Sequence, residues 1–422
     1  MVPPASTTDA KPLPLGVTAG LSAGLASDSA TAADVMDKRS IAVLALSHVF
    51  DDLNQGALPT LLPYLIVAHH LSYQAAAGLV LTTNLFSSLL QPWIGTLSDR
   101  PGWKINLAPI GLAMAGIGVA FTGVMPNYFG LLCIAAIGGI GLAAYHPDAA
   151  RTTNFVSGPQ KATGMSFFAL GGNVGFAVGP LVATACVMAM GVRGSLLLLI
   201  PAFGFAAFLH RHMKGLSSRI AFHKKASQAI STGARDRWVP FSFLTLTIIC
   251  RSIIFFGFNT FLPLYWIHHL GQTKAAGGFA LTVLLLSSAV GTLMGGKLAD
   301  RIGDWKLNFG AIGCLPFLIG LFLMASRPDL AMLSLIPLGI CMSATFSVMV
   351  VMGQRYLPRR IGLAAGVTLG LAGSTGGLIA PVLGKLADSY GLHAALSTLI
   401  GVALLSLVLA GATALAERFS TR

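Results

Sequence analysis

The sequence predicts an all-α integral membrane protein of about twelve transmembrane helices, arranged as two six-helix pseudo-symmetric bundles. Three observations carry that reading. Hydrophobic residues fill 55% of the 422 positions and charged ones only 10%, with a mean hydropathy of +0.77. A soluble chain carries about 25% charged residues, so this one has too little polar surface to face water. Apolar stretches long enough to cross hydrocarbon, about 20 residues each, recur along the whole chain. The second half also repeats features of the first at an offset of 200 residues.

The apolar stretches fall at 40–68, 74–97, 104–125, 128–150, 162–190, 192–209, 238–267, 276–298, 306–326, 330–354, 361–388 and 392–416. Strands are excluded, because open sheet edges cannot face lipid and no short alternating segments occur. Residues 1–37, rich in Ala, Ser, Thr, Gly and Pro, read as a disordered cytoplasmic tail. They are too broken by Ser, Asp and Thr for a cleaved signal peptide. Residues 38–209 form the N-terminal bundle, 210–237 a basic cytoplasmic linker, 238–416 the C-terminal bundle and 417–422 a short tail. The formal charge of +13 does not point to nucleic acid, since Lys and Arg sit singly or in pairs between apolar stretches and thicken only in the linker. Cys133, Cys186, Cys250, Cys314 and Cys341 all lie in apolar stretches with no metal-ligand spacing, and read as small buried hydrophobes.

Orientation follows from the basic residues. One set of loops holds Arg100, Lys104, Arg151, Lys161, the linker, Arg301, Lys306, Arg355, Arg359 and Arg360, and both termini share that side. The opposite loops hold little beyond Arg193, Lys274 and Arg327. Both ends are therefore expected in the cytoplasm, in a bacterial-type inner membrane.

The repeat is specific. Thr60, Leu62, Pro63, Ala75, Ala76, Gly78, Leu81, Thr82, Leu85, Ser87, Ser88 and Gly95 are each identical to the residue 200 positions on. The loop Gly95-Thr-Leu-Ser-Asp99-Arg100-Pro-Gly102 returns as Gly296-Lys-Leu-Ala-Asp300-Arg301-Ile-Gly303. Two parallel six-helix halves joined by a basic loop resemble the major facilitator transporters, and the repeated loop resembles that superfamily's signature. The resemblance implies gating for Asp99, Arg100, Asp300 and Arg301, because an acid near helix ends can lock one side shut. Plain solvated loop acids are the bland alternative.

Further landmarks narrow the resemblance. Ser47-His48 with Asp52 and Gln55, Leu89-Leu90-Gln91-Pro92, His146-Pro147-Asp148 with Arg151, Gly171-Gly172-Asn173 leading to Gly179-Pro180, and Leu357-Pro358-Arg359-Arg360-Ile361-Gly362 follow one another along the chain. In this order they resemble the fosmidomycin-resistance branch. The resemblance implies a monomeric drug exporter driven by proton entry, with no cofactor, no metal and no enzymatic step. Two departures stand out: Asp148 replaces the family's usual Glu, and Leu181, Val182 and Ala183 replace small residues of the antiporter motif.

Ionisable residues inside the membrane cost about 2.5–3.5 kcal/mol each even on lenient scales, so each asks for a reason. His48, Asp52 and Gln55 are spaced i, i+4, i+7 on one face of the first helix, with Asp51 beside them. A carboxylate in a half-dry cavity can load and release a proton, and His48 can share it or simply hold Asp52. Asp51, Asp52, His48 and Asp148 are the candidates for proton coupling. The alternative is a structural polar cluster. Arg251 stands opposite Asp51 in the repeat, and its planar fork suits carboxylate or phosphonate oxygens. It is expected to hold an anionic substrate or else to pair permanently with an Asp. Gln55, Asn173, His146, Phe255 and Asn259 are further cavity candidates, with Phe256, Phe258, Tyr265 and Trp266 either shaping a wall or merely packed. Arg151 is a further gating candidate, and Asp148 and Arg151 can form a local ion pair near the gate. The pairs His69-His70 and His268-His269 read as interfacial.

Two functions fit these residues: export in exchange for protons, and proton-coupled import of an organic anion or sugar-like metabolite. Protonating Asp52 would free Arg251 for an anion, which suits import, whereas the family resemblance implies export. An ATP-driven pump is disfavoured by the lack of a Walker loop.

Overall fold

The computed structural model describes residues 35–71, 73–100, 105–231 and 235–420, all helical or in short connections, with no strand among them. The first half holds α1 (Lys38–His69), α2 (Tyr73–Ser98), α3 (Leu107–Ala120), α4 (Tyr128–Val156), α5 (Lys161–Met190) and α6 (Leu199–Ser231). The second holds α7 (Trp238–His268), α8 (Lys274–Ile302), α9 (Asp304–Met324), α10 (Pro328–Ala344, resumed as Phe346–Tyr356), α11 and α12 (Leu392–Ser420). α11 begins as Ile361–Ala365, passes through a π-turn at Gly366–Leu371 and continues as Ala372–Tyr390. α6 differs from expectation, since it runs on as helix through most of the segment read as a linker. Residues 1–34 of the expected N-terminal tail lie outside the described residues.

Nine stretches among the described residues are long and apolar enough to cross a membrane, and one of them, Lys161–Leu216, spans both α5 and most of α6. α1 and α2 fall short of that hydropathy. α1 carries His48, Asp51, Asp52, Asn54 and Gln55, and α2 carries Thr82, Thr83, Asn84, Ser87, Ser88 and Gln91. The polar load that makes α1 interesting is what dilutes its apolar signal.

Local signals set the helix ends. Asp37 caps α1 by accepting from the Ser40 amide at 3.1 Å, and Asn127 and Thr273 cap α4 and α8 in the same way. α1 ends at His70 in the left-handed conformation, φ 50°. Gly303, at φ 98°, makes the turn from α8 into α9 that a side chain would oppose.

The repeat is visible in the packing. The Asp37 amide donates to the Val156 carbonyl at 2.9 Å, and 200 residues on the Arg237 amide donates to Tyr356 at 2.8 Å. α1 lies along α5, and α7 along α12 and α11. α1 and α5 approach closely because Gly171, Gly175 and Gly179 face the backbone of Ala45, Val49 and Leu53, where a Cβ would collide. The halves meet through α2 with α11 and α5 with α8. Their contacts gather at the end that carries the start of α1: Asn154 Nδ2 donates to Gln354 Oε1 at 2.6 Å, and Gln91 packs against Gly366 and Gly370 in the π-turn.

Candidate functional site

Where α1 and α5 approach, Gly172 leaves room for the side chains of His48 and Asp52. A Cβ there would meet Asp52 Oδ2 and lie 2.8 Å from His48 Nε2. Into this space α4 sends His146. His48 Nε2 is 3.3 Å from Asp52 Oδ2, His146 Nε2 is 3.4 Å from Asp52 Oδ1, and the two Nε2 atoms are 3.3 Å apart. The rings are fixed from behind. His48 Nδ1 donates to the Phe168 carbonyl at 2.8 Å while its ring stacks on Phe168, centroids 4.1 Å apart. His146 Nδ1 donates to the Leu142 carbonyl at 2.8 Å. Asp51 stands behind His146, its Oδ2 3.7 Å from Nδ1, fully buried and with neither oxygen accepting a hydrogen bond.

These bonds count protons. A histidine whose Nδ1 donates to a carbonyl presents, when neutral, a bare lone pair at Nε2. Two such lone pairs and the Asp52 carboxylate would then be three acceptors facing one another within 3.4 Å. At least one proton must sit among them. Tyr145, whose hydroxyl lies 2.6 Å from Ser47 Oγ, completes the wall; no further charged group comes from α5.

The remaining candidates are distributed elsewhere. Asp148, expected among the proton carriers, does a different job: its Oδ2 accepts from the Leu107 and Ala108 amides at 2.8 and 3.0 Å. It caps α3 from another helix, because Asn106 at the cap position makes no side-chain bond. Its Oδ1 holds Arg151 at 2.8 Å, the local pair expected from their spacing. Arg151 in turn donates to the Ser98 carbonyl and stands 3.7 Å from Asp99. Asp99 reaches across the halves, its two oxygens accepting from the Gly362 and Leu363 amides at 2.9 Å each, at the start of α11. Asp300 does the same for α5, accepting from Ala162 at 3.3 Å and Thr163 at 2.8 Å. Arg100 and Arg301 are exposed beside these acids.

Among the described residues no acid pairs with Arg251. It is 5% exposed, inside the C-terminal half, with its guanidinium 4.9 Å above the Phe346 ring. The repeat explains the arrangement: Asp51 sits on His146 in one half, and Arg251 on Phe346, 200 residues later, in the other. Gln55 is half-buried and borders a small hollow with Asn54, Thr83, Gly138 and Leu142. Asn173 is exposed, Asn259 half-buried, and Phe255 packs edge-on against Phe256. Phe258, Tyr265 and Trp266 belong to the core of the C-terminal half.

The family model described as Major Facilitator Superfamily matches residues 44–381. The chain belongs to the major facilitator superfamily. It is a transporter of this superfamily and not an enzyme. Among superfamily relatives, the MFS-type transporter YfnC of Bacillus subtilis (strain 168) is 28% identical over 377 residues, covering 86% of this chain and 89% of the relative. The Fosmidomycin resistance protein of Escherichia coli (strain K12) is 28% identical over 352 residues, covering 82% and 86%. The human organic anion transporter MFSD10 shares the superfamily fold with a TM-score of 0.68 at 18% identity, over 88% of this chain and 99% of that one. FucP in the outward conformation gives 0.67 at 16%, over 88% and 97%.

Proposed function

We propose that the protein exports small anionic or amphiphilic compounds, antibiotics of the fosmidomycin kind among them, in exchange for protons by alternating access. The observation that carries this reading is the cluster of His48, Asp52 and His146, whose facing nitrogen and oxygen atoms, 3.3–3.4 Å apart, call for a shared proton. A secondary transporter needs a site that holds a proton at one stage of its cycle and yields it at another, and a proton shared by three weak bases inside the membrane meets that need. The likeness to a fosmidomycin resistance protein supports the direction of transport.

With both termini in the cytoplasm, the end where the halves meet is the inner one, and it is this end that is closed. Asp99 and Asp300 then act as paired latches, each placing a carboxylate on the N-terminus of a helix in the opposite half. Asp148 and Arg151 brace the first latch from α4. Arg251 receives the anionic part of the substrate. A guanidinium buried without a carboxylate costs several kcal/mol, and Phe346 offsets only part of that, which leaves an anion favoured there.

The test is a compound screen in proteoliposomes under an imposed pH gradient. Accumulation of fosmidomycin or a similar anion on the acidic side, dissipated by a protonophore, is the expected result. Accumulation on the alkaline side would make the protein an importer and refute the direction. Transport indifferent to the gradient would refute proton coupling.

A further inference from the structure

We propose that His48, His146 and Asp52 also form a three-ligand site for a divalent d-block cation of the zinc class. The ligand set was not visible in the sequence, where no metal was expected, because α1 supplies two members and α4 the third. Four ligands at about 2.0–2.1 Å in a tetrahedron stand roughly 3.3–3.4 Å from one another. The three contacts within the cluster are 3.3, 3.3 and 3.4 Å. Each histidine meets a different oxygen of Asp52, and rotation of that carboxylate about its soft terminal torsion brings one oxygen to both. All the donor atoms lie within 4.8 Å of one another.

Two further features point to a metal. Histidines that bind zinc through Nε2 donate the other ring nitrogen to a carbonyl or carboxylate, which fixes tautomer and orientation. Both rings here do so, onto Phe168 and Leu142. Charge gives the second argument. Asp51 is fully buried, has no hydrogen bond at either oxygen, and lies 3.7 Å behind His146. One proton on the cluster leaves two carboxylates and a net negative charge in a desolvated space. A divalent cation neutralises both. His146 and Asp52 keep 13% and 15% of their side chains exposed, which leaves the fourth position open to a water or to an anionic oxygen.

Metal and proton claim the same lone pairs, so a bound zinc ion excludes the proton and stops the exchange cycle. That consequence rests on the proton-coupled reading above; the site itself does not.

The experiment uses the full chain in detergent, titrated with Co2+ and followed by visible absorption. Wild type should develop the intense bands of tetrahedral cobalt, saturate at a single ion per chain and lose them to Zn2+. His146→Ala should abolish the spectrum, and His269→Ala, at the far end of α7, should not. Asp51→Asn removes no ligand but takes a buried negative charge from behind His146, and should weaken binding at least about tenfold. Gly172→Ala, which pushes a methyl against Asp52 and His48, should do likewise. Circular dichroism and elution volume identify any variant that fails to fold. A wild-type spectrum no stronger than that of His146→Ala, or an Asp51→Asn affinity equal to wild type, overturns the proposal. In proteoliposomes, zinc on the open side should arrest pH-driven transport. Cobalt binding with transport undiminished by zinc would keep the site and overturn the exclusion of the coupling proton.

Discussion

Replacing Asp99 by alanine should open the end of the molecule where the halves meet. The carboxylate accepts from two amides of α11 at 2.9 Å each, and its side chain is 11% exposed. Hydrogen bonds to a charged group contribute about 1.5–3 kcal/mol each when buried, and the interaction with a helix N-terminus adds to them. Once the halves part, water reaches the freed amides and returns some of that energy. The net bias against the closed latch is therefore about 2–4 kcal/mol, a shift of roughly 30- to 900-fold in the ratio of open to closed. Arg151 should stay where it is, since Asp148 and the Ser98 carbonyl still hold it. The assay is pulsed electron resonance between spin labels at Gln160 and Lys297, both exposed near the seam, in a chain whose five cysteines have been replaced. Asp99→Ala should convert a short, narrow distance distribution into a longer one. A distribution equal to that of the unmutated latch would show that Asp99 contributes nothing to closure.

Asp300→Ala should act in the same sense but more weakly, about 1–2 kcal/mol, because Asp300 is exposed, one of its bonds is 3.3 Å long and, among the described residues, no arginine braces it; the same label pair measures it. Asp52→Asn should still exchange labelled substrate across the membrane but lose accumulation against a gradient, as a counterflow assay run beside a pH-jump assay will report. Arg251→Ala should lose binding of anionic compounds by at least tenfold, about 1.4 kcal/mol, while sparing neutral amphiphiles, and equilibrium dialysis of the two classes separates these outcomes.

Much of the fold was legible because hydropathy and repeat are one-dimensional signals. The identities between 60 and 95 and the two Gly-x-Leu-x-Asp-Arg loops announced the paired halves, and the structure returns them as paired contacts such as Asn154 with Gln354. The latch acids were legible as residue type and position, whereas their partners, bare amides at the starts of α11 and α5, carry no side-chain signature. Of the site, only the grouping on α1 was legible, although His146 stands among the expected substrate contacts. His48, Asp51 and Asp52 share one helix, so their spacing could be read; His146 joins them through the packing of α4, which spacing does not encode. Asp148 reads both as a proton carrier and as the partner of Arg151; the pair is present at 2.8 Å, while the amides it also caps belong to α3 and carry no side-chain signature. Arg251 shows the limit of the repeat. Correspondence with Asp51 suggested an opposed pair, but what the repeat preserves is each residue's contact with position 146 or 346 of its own half.

Export in exchange for protons requires that substrate and a proton shared by His48, Asp52 and His146 exclude one another, the reverse of the bias that Arg251 and Asp52 alone would give. It is tested most directly by adding substrate to the purified protein in weakly buffered detergent solution and recording the change in pH. Binding should release protons from wild type and release none from Asp52→Asn at equal substrate occupancy. Uptake of protons on binding, or release that survives in Asp52→Asn, would contradict the account.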